Sequence, residues 1–279
     1  MLTRIITAVI SLALFIPVLF FSHTVILSIA MALLSVIAAY EMLGCLGILH
    51  KYSISVPSLL ICAAVPFLIR YVGMGFMLFF IVCFMLYLFF LTVLTQGGIR
   101  TEEASLAFMS ITYIVTTFTS IVLLRDIKNG QYLYLLVFIG GWTTDTFAYF
   151  TGMLFGRNKL IPKISPKKTV EGAIGGIIFC ILAFNVYGII VSNISHTRPD
   201  YLVLSIAGAV VSLIAQFGDL LCSAIKRNFD KKDFGTLFPG HGGVLDRFDS
   251  VMAIAPMLLM TAELLIRFRT GGAFFIGGL

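Results

Sequence analysis

"SAIKRNFDKKDFGTLFPGHGGVLDRFD", Ser223 to Asp249, holds nine charged side chains, a histidine and four glycines between two apolar runs, Leu202 to Ile225 and Val251 to Ile266. The chain as a whole is only 11% charged and 59% hydrophobic, with a mean hydropathy of +1.06. A soluble domain carries roughly 25% charged residues. The polar stretch is therefore a connection between membrane segments rather than part of a water-soluble fold.

Working outward, further runs can cross a hydrocarbon core, which takes about 20 residues each. They are Ile5 to Phe21, Val25 to Leu46, Val56 to Ile69, Met74 to Leu94, Leu106 to Leu124, Leu133 to Phe150 and Val170 to Val191. The expected fold is all-α, a polytopic integral membrane bundle of about nine transmembrane helices. The third run is short and contains Pro57 and Pro66, so it is the weakest. The first reads as a retained span: it is longer than a signal core, and no small-x-small cleavage site follows Phe21. The five cysteines are isolated in apolar segments without metal or redox spacing, which makes them small buried hydrophobes.

The formal charge of +6 is concentrated in two loops. Residues 153–169 carry Arg157, Lys159, Lys163, Lys167 and Lys168; residues 226–250 carry Lys226, Arg227, Lys231, Lys232 and Arg247. Two spans separate these loops, so they share a face, and the excess of Lys and Arg makes that face cytoplasmic. The resulting scheme has an inside N-terminus and an outside C-terminus, although Arg267 and Arg269 run against it. The charge thus reports orientation and calls for no nucleic acid. Residues 1–95 form an N-terminal set of spans with Glu41 as the one charge within them, and residues 96–279 form the portion expected to carry the chemistry. The absence of an organelle-targeting extension points to a bacterial inner membrane.

Ionisable residues within spans are costly and mark function. Asp145 lies in "GWTTDTFAYFTG" and Asp219 in "AQFGDLLCSAIKR", where helical spacing puts Gln216, Asp219, Ser223 and Lys226 on one stripe. Asp246 and Asp249 stand at i and i+3 as the last span begins. Such carboxylates can be structural ion pairs, yet four beside two basic loops suit Mg²⁺, which binds through one or two carboxylates plus substrate phosphates. The turn "FPGHGGVLDR" brings Gly240, His241, Gly242 and Gly243 to a helix start, where free N–H groups can hold a phosphate. In "ISPKKTVEG", Ser165, Lys167, Lys168 and Thr169 form a second such start. A secondary transporter and a lipid-binding scaffold, and with them another membrane transferase such as a CTP-using lipid kinase, remain open at this point. The first would place its charges near the bilayer midplane, and the second would need the basic loops but not the aspartates.

Ser223-Ala-Ile-Lys226-Arg227, Lys232-Asp233, Gly235, Phe238-Pro239, His241-Gly242-Gly243, Asp246-Arg247 and Asp249 together resemble the signature of the phosphatidate cytidylyltransferase, or CDP-diacylglycerol synthase, family. The resemblance extends upstream through "WTTDTFAYFTG" and "FGRNKLIPKISPKKTVEG", covering Trp142 to Asp249. It implies a helical membrane enzyme, a homodimer, that joins phosphatidic acid and CTP into CDP-diacylglycerol and pyrophosphate. It also implies Mg²⁺ and a second, monovalent cation such as K⁺. The doubled lysine of "SPKKTVEG" departs from relatives that carry a single one after a glycine; position relative to the helix start favours Lys168 over Lys167 as the phosphate contact. On this reading Asp219 and Asp246 are metal ligands, with Asp249 and Asp145 as further ligands or groups that orient them. Lys168, Lys226, Arg227 and Arg247 neutralise phosphate, and Ser165, Thr169, Ser223 and the backbone about His241 line the substrate site.

Overall fold

The computed structural model describes residues 13–195, 198–238, 240, 242–268 and 275–276. After a helical segment over 13–20 (α1), the helices are α2 (Val25–Cys45), α3 (Tyr52–Val72), α4 (Gly75–Leu94), α5 (Thr101–Asp126), α6 (Gly130–Phe155), α7 (Val170–Ser195), α8 (Tyr201–Asn228) and α9 (Leu245–Phe268). Two small antiparallel pairs interrupt them: β1 (Lys159–Ile161) with β2 (Ser165–Thr169), and β3 (Arg198–Pro199) with β4 (Phe275–Ile276).

The protein is an all-α polytopic membrane protein. Among the described residues seven helices, α2 to α5 and α7 to α9, are long and apolar enough to cross a bilayer. α4 makes the physical case most directly. It buries only Phe84 and Leu88, while Leu78, Phe79, Leu86, Phe89, Phe90 and Val93 are exposed. An apolar surface of that kind is tolerated in hydrocarbon and not in water. The expected count of about nine is not fixed by length and composition. Residues 5–12 of the first run lie outside the described residues, and α6, which contains the run Leu133 to Phe150, is not among the seven.

The run with two prolines is a continuous helix of 21 residues, α3, despite its short apolar core. Proline has no N–H to give to the carbonyl four residues back, which in lipid leaves that oxygen in need of a donor. For Pro57 that carbonyl belongs to Ser53, and the Tyr87 hydroxyl of α4 donates to it at 2.7 Å. α3 then stops at Gly73, whose φ of 86° takes the chain out of the helix.

The chain forms two compact units. One comprises residues up to Leu123 together with Asn228–Phe248; the other comprises Leu124–Arg227 together with residues from Asp249 onward. In the first unit α2 packs on α3 and α3 on α4. Lys51 ties two connections there, its ammonium reaching Glu103 Oε2 at 2.6 Å and the Gly98 carbonyl at 3.1 Å. In the second unit α6 and α7 lie side by side. Phe147 and Phe179 stack across them with ring centroids 4.0 Å apart, and a Cβ on Gly172 would meet the Ala148 carbonyl at 2.6 Å. Small residues thus set the helix spacing, as is usual in membranes.

Tyr87→Phe is expected to lower stability by about 0.5–1 kcal/mol by leaving the Ser53 carbonyl without its donor. In a Pro57→Ala background, where the helix supplies an N–H, the same change should cost much less. Thermal unfolding of the four proteins in detergent checks this.

Candidate active site

In the second unit the polar residues gather around α8. β2 leads directly into α7, and Thr169 caps that helix by accepting the Gly172 N–H at 3.1 Å. Glu171 receives the Arg157 N–H at 3.1 Å and the Asn158 side-chain amide at 2.8 Å, which pins the approach to the β1–β2 hairpin. Side chains alternate along a strand. Along β2, whose pairing with β1 is irregular, Lys167 is nevertheless exposed while Lys168 is half-buried, its Nζ 2.5 Å from Asp219 Oδ2. The hairpin thus gives the two adjacent lysines different surroundings, and the one facing Asp219 is Lys168.

Asp219 is also reached by its own helix, since Ser223 Oγ donates to its Oδ1 at 3.3 Å. One turn earlier, Gln216 crosses to the Ala173 carbonyl of α7 at 3.2 Å. Asp145 of α6 accepts the Ser250 hydroxyl at 2.7 Å, and Asp249 accepts the Ser250 N–H at 3.0 Å. Asp249 lies within electrostatic reach of Asp219, Asp145 and Lys226. Lys226 is buried near the end of α8, and the adjoining Arg227 is exposed. Ser165 is half-buried at the start of β2, opposite Ile161.

The remaining signature residues belong to the first unit. Asp246, 7% exposed, accepts the N–H groups of Phe234 and Gly243, each at 2.9 Å. Glu41 accepts those of Val244 at 3.0 Å and Leu245 at 2.9 Å. The donors expected to await a phosphate at Gly243 and the start of α9 are therefore committed to the protein's own carboxylates. Gly242 has a φ of +83° and closes the turn by accepting the Phe238 N–H. His241 lies outside the described residues. Arg247 is exposed.

The donor set of the second unit is hard oxygen, from Asp145, Asp219, Asp249, Ser223 and Ser250, and its chemistry fits Mg²⁺ rather than a soft metal. Among the described residues no three His, Cys, Asp or Glu side chains stand close enough to hold an ion by themselves. A site using one or two carboxylates plus substrate oxygens is compatible with that spacing. Sequence reasoning missed Ser250, Glu171 and the role of Glu41. Ser250 adjoins Asp249 and Glu171 follows the lysine pair, but nothing in their spacing names a partner.

This is a helical membrane protein in which Asp145 and Asp219 lie inside α6 and α8, Asp249 in the second turn of α9, and Lys168 just before α7. The cytidylyltransferase family profile matches residues 2–265, and the chain belongs to that family. It is 35% identical to a phosphatidate cytidylyltransferase of Staphylococcus haemolyticus, with 92% of this chain and 97% of the relative covered. It is 36% identical to the enzyme of that name from Staphylococcus saprophyticus over the same shares. The Bacillus subtilis phosphatidate cytidylyltransferase is 35% identical over 60% of this chain and 61% of its own.

Lys168→Met alone is expected to destabilise the second unit by about 1–2 kcal/mol, because it leaves the Asp219 carboxylate half-buried without its cation. Adding Asp219→Asn should recover part of that loss. The comparison is made by thermal unfolding in detergent.

Proposed function

We propose that the protein transfers a cytidylyl group from CTP to phosphatidic acid, giving CDP-diacylglycerol and pyrophosphate. The observation that carries the proposal is the grouping of Lys168 and Asp219 with Asp249, Asp145 and Lys226, in a chain of the cytidylyltransferase family.

The lipid phosphate is a monoester with a second pKa of about 6, so near neutral pH it is largely dianionic and needs no strong general base. One of its oxygens attacks the α-phosphorus of CTP, forming a P–O bond as the bond to the β-phosphate oxygen breaks and pyrophosphate leaves with the electron pair. The obstacle is repulsion between two polyanions, which positioned cations relieve. Lys168 and Lys226 would neutralise phosphate, and Arg227 at the exposed end of α8 would draw in the nucleotide. Asp219 together with substrate oxygens would hold Mg²⁺, with Asp249 or Asp145 as a second ligand or as a group that orients it, while Ser223 donates to Asp219 and Ser250 to Asp145. When bound, the ion would neutralise charge on the phosphoryl oxygens as the transition state forms. From the signature the proposal keeps Asp246 and Arg247 as participants, and a monovalent cation such as K⁺ as a second ion.

CTP is a water-borne reactant and phosphatidic acid a membrane one, which suits intramembrane carboxylates that adjoin basic connections. The proposal places the protein in a bacterial cytoplasmic membrane with this face toward the cytoplasm, supported by the two basic loops and the bacterial relatives. It includes a homodimer, which follows the family resemblance, and no nucleic-acid partner, because the positive charge reports orientation.

Purified protein given phosphatidic acid, radiolabelled CTP and Mg²⁺ is expected to produce lipid-soluble label; a folded preparation that produces none overturns the proposal. Asp219→Asn should reduce kcat by about 100-fold or more. Asp230→Asn should change it little, because Asp230 is an exposed loop residue at a φ of 53° that asparagine also tolerates. Cysteines placed at the exposed Lys163 and Lys232 should react with a membrane-impermeant maleimide in inverted vesicles and not in intact cells. Reaction from opposite sides would break the assigned orientation.

A further inference from the structure

Glu41 has no part in the chemistry proposed above, yet it is 7% exposed near the end of an apolar span, where a carboxylate is costly unless it is met by donors. It is met by backbone 203 and 204 residues away. Oε1 accepts the Val244 N–H and Oε2 the Leu245 N–H. α9 begins at Leu245, and the first N–H groups of a helix have no acceptor within it. A carboxylate there gains charge-assisted bonds and the favourable end of the helix dipole.

Two glycines of the signature carry an independent record of the same contact. A Cβ on Gly243 would overlap both Glu41 carboxyl oxygens, and one on Gly235 would overlap Oε1. Neither has a positive φ, so the requirement is space rather than backbone freedom. Asp246 completes the wrap by bonding the Phe234 and Gly243 N–H groups, so the turn closes around two carboxylates.

We infer that Glu41 is a positioning residue: from α2 it fixes the start of α9, and with it Asp246 and Arg247, in the arrangement that cytidylyl transfer requires. The inference rests on the function proposed above. Through Glu41 an N-terminal helix holds the signature turn.

The test combines activity with hydrogen exchange of the purified protein in detergent. In Glu41→Ala the amides of Val244 and Leu245 should exchange about tenfold faster or more, and kcat per folded enzyme should fall about tenfold or more with KM for CTP nearly unchanged. Glu41→Gln keeps the shape but turns an NH₂ toward one of the two donors, so it should lie between wild type and alanine. Gly243→Ala should be severe alone and add little in the Glu41→Ala background, where the space has been vacated. Unchanged exchange at Val244 and Leu245 would overturn the anchor. Faster exchange with unchanged kcat would overturn the positioning role, leaving Glu41 a purely structural contact. A folded wild-type protein without transferase activity would instead overturn the underlying functional reading, and the exchange measurement would still decide the anchor.

Discussion

The pairing of carboxylates with donors from distant segments is the constraint on which the rest of this bundle depends. An ionised group among apolar helices costs several kcal/mol if left unmet. Asp219 meets the ammonium of Lys168, Glu103 meets that of Lys51, and Glu41 meets the backbone of α9. Each pairing joins segments far apart in sequence, which gives the polar groups a structural duty before any substrate arrives.

In the second unit that duty is supported by close helix packing. α6 and α7 approach through Gly152, Gly172, Gly175 and Gly176, where no side chain larger than hydrogen fits without displacing a neighbour. The close approach fixes the start of α7, and the β1–β2 hairpin joined to it turns Lys168 inward and Lys167 outward. Positioned charge of this kind is what the proposed joining of two phosphates would need, since it would neutralise them without reorganising at the moment of reaction.

The membrane class was plain in the sequence, because apolar runs of sufficient length leave few alternatives. α3 was underestimated: its two prolines made it the weakest run, and the partner of the carbonyl that Pro57 leaves unmet, the Tyr87 hydroxyl, comes from another helix. Asp145 and Asp219 were identifiable as intramembrane acids and Asp249 as an acid where the last span begins, but their hydroxyl and ammonium partners were not, since partnership depends on distances between helices. The glycine turn before α9 had the composition of an anion cradle; the carboxylates that occupy its donors come from α2 and from α9 itself.

By itself the sequence determined that this chain is a bundle of membrane helices, with its charge gathered at two connections and in a recognisable signature, because hydropathy and residue order are local properties. Only the tertiary structure decided which lysine faces Asp219, how Pro57 is tolerated and what Glu41 is for. Those outcomes depend on groups brought together from distant parts of the chain, and the burial that makes an unmet charge costly arises only once the helices have packed.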